Sequence, residues 1–274
     1  MPDPLMKDRR GLVMGVANDH SIAWGVARTL SKHGAEIAFT YQGEAQGKRL
    51  APLAESVGSR LLLQADVEND SDLDTAFALL AREWGRLDFV VHAIAYSERD
   101  ELKRRYVETS RDNFCRSLAI SCFSFTDIAR RALPLMTNGG ALLTLTYLGA
   151  HRVTPNYNVM GVAKAALESS VRYLAADLGA DNIRVNAISA GPMRTLAGSV
   201  ISESRTVFKW NKAHSPLKRT VSLDDVGNAA VYLLSDLSRG VTGEIHYVDA
   251  GYNIIGTPPS TQLKGWIGPD DRDE

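Results

Sequence analysis

Tyr147, Tyr157 and Lys164 lie within the stretch YLGAHRVTPNYNVMGVAKAALE (147–168), a set of side chains equipped for proton chemistry. A phenol donates a hydrogen bond to an oxygen that is gaining negative charge, and an ammonium beside it favours that donation. Helical periodicity over 155–179 places Tyr157 and Lys164 on one helix, seven residues apart, so that they share a face after nearly two turns. Their Cα atoms then differ by about 10 Å in height. Helical side chains lean toward the N-terminus, so the long Lys164 reaches back toward the phenol, leaving room for a ribose between them. Gly161 with Ala163, Ala165 and Ala166 keeps the neighbouring surface thin. Tyr147 is expected at the end of the preceding strand, aimed into the same cleft.

The elements that must position these groups are legible as short apolar runs alternating with helix-periodic stretches. Seven runs read as strands: 11–17, 35–42, 59–67, 87–96, 140–148, 183–189 and 243–251. They are continuous runs, as strands buried on both faces of a parallel sheet require. Helices are predicted at 21–34, 44–57, 71–85 with Ser71 as N-cap, 110–133, 155–179 and 222–236. Right-handed crossovers then give an α/β fold: a single-domain, doubly wound Rossmann sheet of seven parallel strands with helices on both faces. The domain is expected over 1–256, and 257–274 forms a polar, Pro/Gly-rich C-terminal tail, either loose or packed on a neighbouring subunit.

In such folds a ligand lies outside the carboxyl ends of the strands, where strand order reverses. The first strand ends in GVANDHSIAWG. Gly15 permits a tight turn, Ser21 offers a hydroxyl, and the helix opening at Ser21-Ile22 offers free N–H groups to a pyrophosphate. Gly25 is expected to let that helix approach the sheet. This is not the Gly-x-Gly-x-x-Gly fingerprint. The second strand ends FTYQGE, with Gln42 and no basic residue before Lys48 and Arg49. A glutamine bonds a ribose hydroxyl but brings no charge for a 2′-phosphate, so the cofactor reads as NAD, with NADH favoured over NADPH. Asp66, ending the third strand, either accepts from an adenine amino group or caps the next helix. Ile94 is placed to line the ring pocket, with its backbone near the ribose.

Composition excludes other classes. The net charge of −1 implies no attraction to nucleic acid, and no run approaches a membrane span. The polar N-terminus MPDPLMKDRR lacks the apolar stretch of a signal peptide, so a cytoplasmic location is expected. Cys115 and Cys122 read as free thiols, and the six scattered histidines suggest no metal site.

The segments GVANDHSIAWG, AFTYQ, LTLTYLGAHRVTPNYNVMGVAKAALE, IRVNAISAGPMRTLA and KRTVSLDDVGN resemble those of the enoyl-acyl-carrier-protein reductases of type II bacterial fatty-acid synthesis, a divergent branch of the short-chain dehydrogenase/reductases. The likeness covers about residues 8–256. Most short-chain dehydrogenases have Tyr-x3-Lys, but position 160 here is Met160, and the longer Tyr-x6-Lys spacing with an upstream tyrosine belongs to the enoyl reductases. The resemblance implies hydride transfer from NADH to the β-carbon of a trans-2-enoyl thioester. Tyr157 would bond the thioester oxygen, Lys164 would hold the nicotinamide ribose, and Tyr147 would help position the chain or the proton. It also implies cofactor contacts at Gly15, Ser21, Ile22, Gln42, Asp66, Val67, Ile94, Lys164, Met193, Arg194, Thr195, Leu196 and Ala197, and a substrate contact at Ser97. Its expected partner is an enoyl-acyl carrier protein, and its expected assembly a homotetramer.

The stretch 193–214 reads as too irregular for a core element and carries Leu196, Val200, Ile201, Val207, Phe208 and Trp210, which suits either an acyl-chain lid or a packed connection. Lys103, Arg104 and Arg105 either meet an acidic carrier protein or form a solvated loop face. Two further readings remain at this point: a short-chain carbonyl reductase using the same tyrosine and lysine, and a non-catalytic NAD-binding regulatory protein.

Overall fold

The computed structural model describes residues 4–195 and 204–257. Seven strands, β1 (Arg10–Met14), β2 (Glu36–Tyr41), β3 (Leu61–Gln64), β4 (Phe89–His92), β5 (Gly140–Thr146), β6 (Ile183–Ala190) and β7 (Ile245–Val248), form one sheet in the order β3-β2-β1-β4-β5-β6-β7. Every neighbouring pair is parallel; Leu12 stands opposite Ala38 on one side and Val90 on the other. The order reverses between β1 and β4, so a crevice opens at their carboxyl ends.

Alternate residues of each strand feed two separate cores. Leu12, Met14, Val90 and Leu142 point to one face and pack with Leu73 and Leu80 of α3 (Asp70–Trp84), Phe125 and Ile128 of α6 (Ser124–Ala132), and Leu167 and Val171 of α7 (Val159–Leu178). Val13, Phe39, Phe89, Val91 and Leu143 point to the other, against Trp24 and Leu30 of α1 (Ile22–Lys32) and Val226 and Val231 of α9 (Leu223–Leu234). Each fully buried side chain of this size contributes about 1.5–3 kcal/mol. Apolar residues at successive positions are therefore needed on both sides, which is why the strands carry no polar alternation. The remaining helices are α2 (Glu44–Ser56), α4 (Arg99–Leu102), α5 (Arg111–Leu118) and α8 (Ser204–His214).

Several local expectations give way to tertiary detail. The α3 cap is Asn69, whose side chain accepts from the N–H groups of Ser71 and Asp72; Ser71 lies inside the helix. Gly25 does not serve the sheet: a Cβ there would come within 2.7 Å of Leu223 Cβ, so this glycine brings α1 and α9 together. The helix expected over 110–133 is interrupted by a π-helical turn at Ala119–Phe123. Just after it the Ser124 hydroxyl donates back to the Ile120 carbonyl at 2.6 Å, while His92 Nε2 meets the same hydroxyl at 2.8 Å. Side-chain back-bonding of this kind disturbs the i→i−4 ladder, and single π turns gather at functional sites.

Within the stretch expected to be irregular, Ser204–His214 is a helix. Its side chains hold it by tertiary contact: Trp210 stacks on His214 at 3.7 Å between ring centroids, and its Nε1 donates to the Tyr252 hydroxyl at 3.0 Å. The expectations for Leu196, Ala197, Val200 and Ile201, and for the tail beyond Thr257, fall outside the described residues.

Candidate active site

Tyr157 is not on α7. The helix begins at Val159, with Asn158 before it at φ +41°, and Asn156 also lies in the left-handed region at φ +61°. Asparagine tolerates that region because its short side chain bonds locally. Here the Asn158 amide donates to the carbonyls of Leu102 and Arg104 at 3.0 and 2.8 Å. The charged loop 96–106 is thereby tied to the turn that carries Tyr157. Tyr157 sits in that turn, its N–H donating to the Thr154 carbonyl and its own carbonyl accepting from Met160 N–H.

The Tyr157 ring is buried with Leu102, Val159 and Met160, and Tyr147 and Phe114 pack against the group. Tyr147 meets it edge-on, with centroids 5.1 Å apart and planes at 70°. The two expected tyrosines are thus one unit. Gly149 makes space for it, since a Cβ there would lie 2.4 Å from Tyr157 Cδ1. Burial pushes the Tyr157 hydroxyl above the usual phenol range, helped by Tyr147 and Glu168, so the group is a proton donor at neutral pH. Burial raises Tyr147 too, with a smaller push from Tyr252 and a counteracting bond to Thr154.

Lys164 is on α7 as expected, buried, with Nζ donating to the Leu145 carbonyl at 2.8 Å at the end of β5. Burial lowers its pKa to about 8, with Cys122 and Glu168 acting the other way. His92, at the end of β4, is enclosed between Thr144 and Ser124, and burial followed by the nearby Lys164 lowers its pKa to about 3. It is therefore a neutral ring that props the floor of the site.

At the nucleotide end, Gly15 has φ +93°, and a Cβ would fall 2.1 Å from the Ala93 carbonyl oxygen. Only glycine fits where β1 and β4 part. The Ser21 hydroxyl is already engaged, accepting from the N–H groups of Ala17 and Asn18 at 3.1 and 3.0 Å. It shapes the loop, and no side chain caps the first turn of α1, which opens at Ile22. An uncapped helix start beside a glycine turn suits a pyrophosphate.

The structure brings Gln42 and Asp66 together: Gln42 Nε2 donates to Asp66 Oδ2 at 2.9 Å. Asp66 does not cap α3. Gln46, absent from the sequence expectations, accepts from Gln42 N–H at 2.8 Å and donates to the Val16 carbonyl at 2.9 Å, linking the loops that follow β1 and β2. Lys48 is paired with Glu44. Val67 and Ile94 are half-buried against one core and Met193 against the other. Arg194 lies over the Phe208 ring at 5.1 Å, and Thr195 N–H donates to the Met193 carbonyl. Ser97 Oγ donates to Asn113 Oδ1 at 3.2 Å. Tyr147, Pro192, Asn211 and Tyr252 line a narrow cleft beside the tyrosine pair.

Sequence reasoning passed over His92 and Glu168 as site residues. The available signal was position: His92 closes a strand beside the order reversal, and Glu168 follows Lys164 by one helical turn.

The family model described as Enoyl-(Acyl carrier protein) reductase matches residues 15–253. A Rhizobium meliloti (strain 1021) protein named enoyl-[acyl-carrier-protein] reductase [NADH] 2 is 63% identical over 260 residues, covering 95% of this chain and 97% of that protein. The enoyl-acyl-carrier-protein reductase of Anaplasma phagocytophilum, solved in complex with NAD, superposes with a TM-score of 0.91 at 58% identity, over 93% of this chain and 97% of that one. The Bacillus cereus enzyme, solved with NADP+ and an indole naphthyridinone, has a TM-score of 0.91 at 49% identity, over 92% of this chain and 99% of that one. A buried tyrosine with a half-buried one against it, a buried lysine and a glycine turn after β1, set on this sheet and matched along nearly the whole chain, place the protein in the enoyl-acyl-carrier-protein reductase family.

Proposed function

We propose that Tyr157, Lys164 and Tyr147 divide the chemistry of this family between them. The protein is an NADH-dependent enoyl-acyl-carrier-protein reductase of fatty-acid synthesis. NADH, when bound, supplies the hydride that the enoyl β-carbon accepts. Tyr157 donates a hydrogen bond to the thioester oxygen as charge moves onto it, and its burial keeps the proton in place until then. Lys164 holds the ribose hydroxyls and brings positive charge near the phenol. Tyr147, braced edge-on, fixes the Tyr157 ring and borders the acyl chain. The observation that carries this reading is the buried Tyr157, with Tyr147 edge-on against it, standing beside the β5 end that Lys164 grips.

The remaining contacts follow the resemblance. Gly15, Ser21 and Ile22 face the pyrophosphate; Gln42, Asp66 and Val67 the adenosine; Ile94 and the stretch Met193 to Ala197 the nicotinamide side; Ser97 the substrate. Gln42, following the end of β2, brings no charge for a 2′-phosphate, which supports NADH over NADPH. Residues 193–214 serve as a lid and 1–256 as one reductase domain. The carrier protein as delivery partner, a homotetramer and a cytoplasmic location complete the proposal. Among the described residues no helix is long and apolar enough to cross a membrane.

The test is cofactor oxidation with crotonyl and acetoacetyl thioesters, each with NADH and NADPH. Consumption of NADH with crotonyl thioester, well above the other three combinations, is expected. Preference for the acetoacetyl thioester would make the enzyme a carbonyl reductase, and preference for NADPH would remove the Gln42 argument.

Gly149→Ala offers a finer probe. The added methyl collides with the Tyr157 ring, and displacing a catalytic group by about 1 Å costs about 10²-fold. We expect kcat to fall by about that factor while NADH affinity holds; an unchanged kcat would show that the ring's seat on Gly149 is immaterial.

A further inference from the structure

Glu168 lies one helical turn beyond Lys164 on α7, and both side chains face inward. At 1% exposure, a carboxylate carries a large desolvation cost unless its charge is balanced. Its Oε1 accepts from the Thr146 hydroxyl at 2.7 Å. Its Oε2 has no aligned hydrogen-bond donor; the neighbour there is His151 Nε2 at 2.5 Å, an imidazole that is 51% exposed and covers the carboxylate from the solvent side. Thr146 ends β5 immediately before Tyr147, and His151 follows the short turn after it. The carboxylate is therefore held by the same segment that presents the first tyrosine.

The titratable groups around Lys164 and Glu168 are Cys122 from the π-helical turn and His92 from β4 on the lysine side, and Tyr157 from the preceding turn, His151 from the β5–α7 connection and Tyr247 from β7 on the carboxylate side, with Asp249, Arg152 and Glu244 acting on Tyr247. Arg152 is exposed and His151 is half in water. Lys164 is the buried cation of the group, and the two side chains bond neighbouring residues at the end of β5, Lys164 Nζ to the Leu145 carbonyl and Glu168 to the Thr146 hydroxyl.

We propose that Glu168 is a positioning residue for the reduction: a fixed buried carboxylate, one turn behind Lys164, that keeps Lys164 in its ammonium form inside a site that excludes water. The inference rests on the charge role given to Lys164 above. Burial works to strip the proton from Lys164; Cys122 and, after it, the Glu168 carboxylate oppose that loss. An ammonium is present below its pKa and lost above it, so removing the carboxylate must act at the alkaline side and vanish at low pH.

Glu168→Gln keeps the shape and the Thr146 bond while removing the charge. Two readouts are compared with the parent: the protonation midpoint of Lys164 in the cofactor-free protein, by carbon-13 NMR of its ε-methylene, and the pH profile of kcat/KM. The midpoint is expected below the parent's value of about 8. At that pH kcat/KM is expected to fall about three- to tenfold, while at about pH 6 the two enzymes converge. Glu168→Asp, which keeps the charge, is expected to recover most of the loss, and it carries the same comparison if the glutamine variant does not fold: its smaller displacement of charge must still lower the midpoint. An unmoved midpoint in both variants, or a loss equal at both pH values, overturns the proposal. A midpoint that falls while the kinetic profile stays put upholds the action of Glu168 on Lys164 and refutes the charge role of Lys164 itself.

Discussion

Tyr157→Phe is expected to bind NADH normally and to turn over about 10²–10³-fold more slowly. The substitution removes one oxygen and leaves the ring that packs with Leu102, Val159 and Met160. No cavity opens, and the edge-on contact with Tyr147 survives, so stability should change little. What disappears is the donor set in place before charge arrives on the thioester oxygen. In a water-poor site, no solvent molecule takes over that duty at comparable cost. Fluorescence titration with NADH and steady-state turnover on crotonyl thioester separate the two effects. Near-normal turnover would take Tyr157 out of the mechanism.

Lys164→Ala is expected to act first on the cofactor. A hydrogen bond to a charged group contributes about 1.5–3 kcal/mol, so losing the ribose contact should weaken NADH binding by about 10–100-fold. The structure adds a second consequence. Nζ donates to the Leu145 carbonyl, so the alanine variant leaves that acceptor without its donor. Leaving a buried acceptor unpaired costs about 1–3 kcal/mol, and a lowered Tm of the cofactor-free protein should accompany the lost affinity. Unchanged NADH affinity would contradict the ribose role, whatever happens to Tm.

Much of this molecule follows from local pattern alone. Continuous apolar runs can be stable only as strands covered on both faces, so seven of them with intervening helices already imply the doubly wound sheet. Gly15 at the first strand's end, Gln42 at the second's and Lys164 in a helix after the fifth were legible because each occupies a fixed place in that sheet's repeat. Their residue types limit what they can bind. Where several neighbouring residues were equally able to serve, the chain by itself did not choose. Asn69, Asp70 and Ser71 can each cap a helix, and the packing of α3 selected Asn69.

Tertiary structure decided the site's fine geometry. Tyr157 stands outside α7 because Asn158 takes a left-handed conformation to bond the carbonyls of Leu102 and Arg104, more than fifty residues earlier in the chain. Gly25 serves Leu223 and not the sheet, and the helix Ser204–His214 is held through Trp210 by Tyr252. Glu168 is a buried carboxylate because Thr146 and His151, from the segment before α7, meet its two oxygens. The periodicity of a segment dictates which element it forms and which face it buries. Which distant backbone or side chain completes its hydrogen bonds, and so shifts its pKa or ends its helix, depends on segments that meet only when the sheet has assembled.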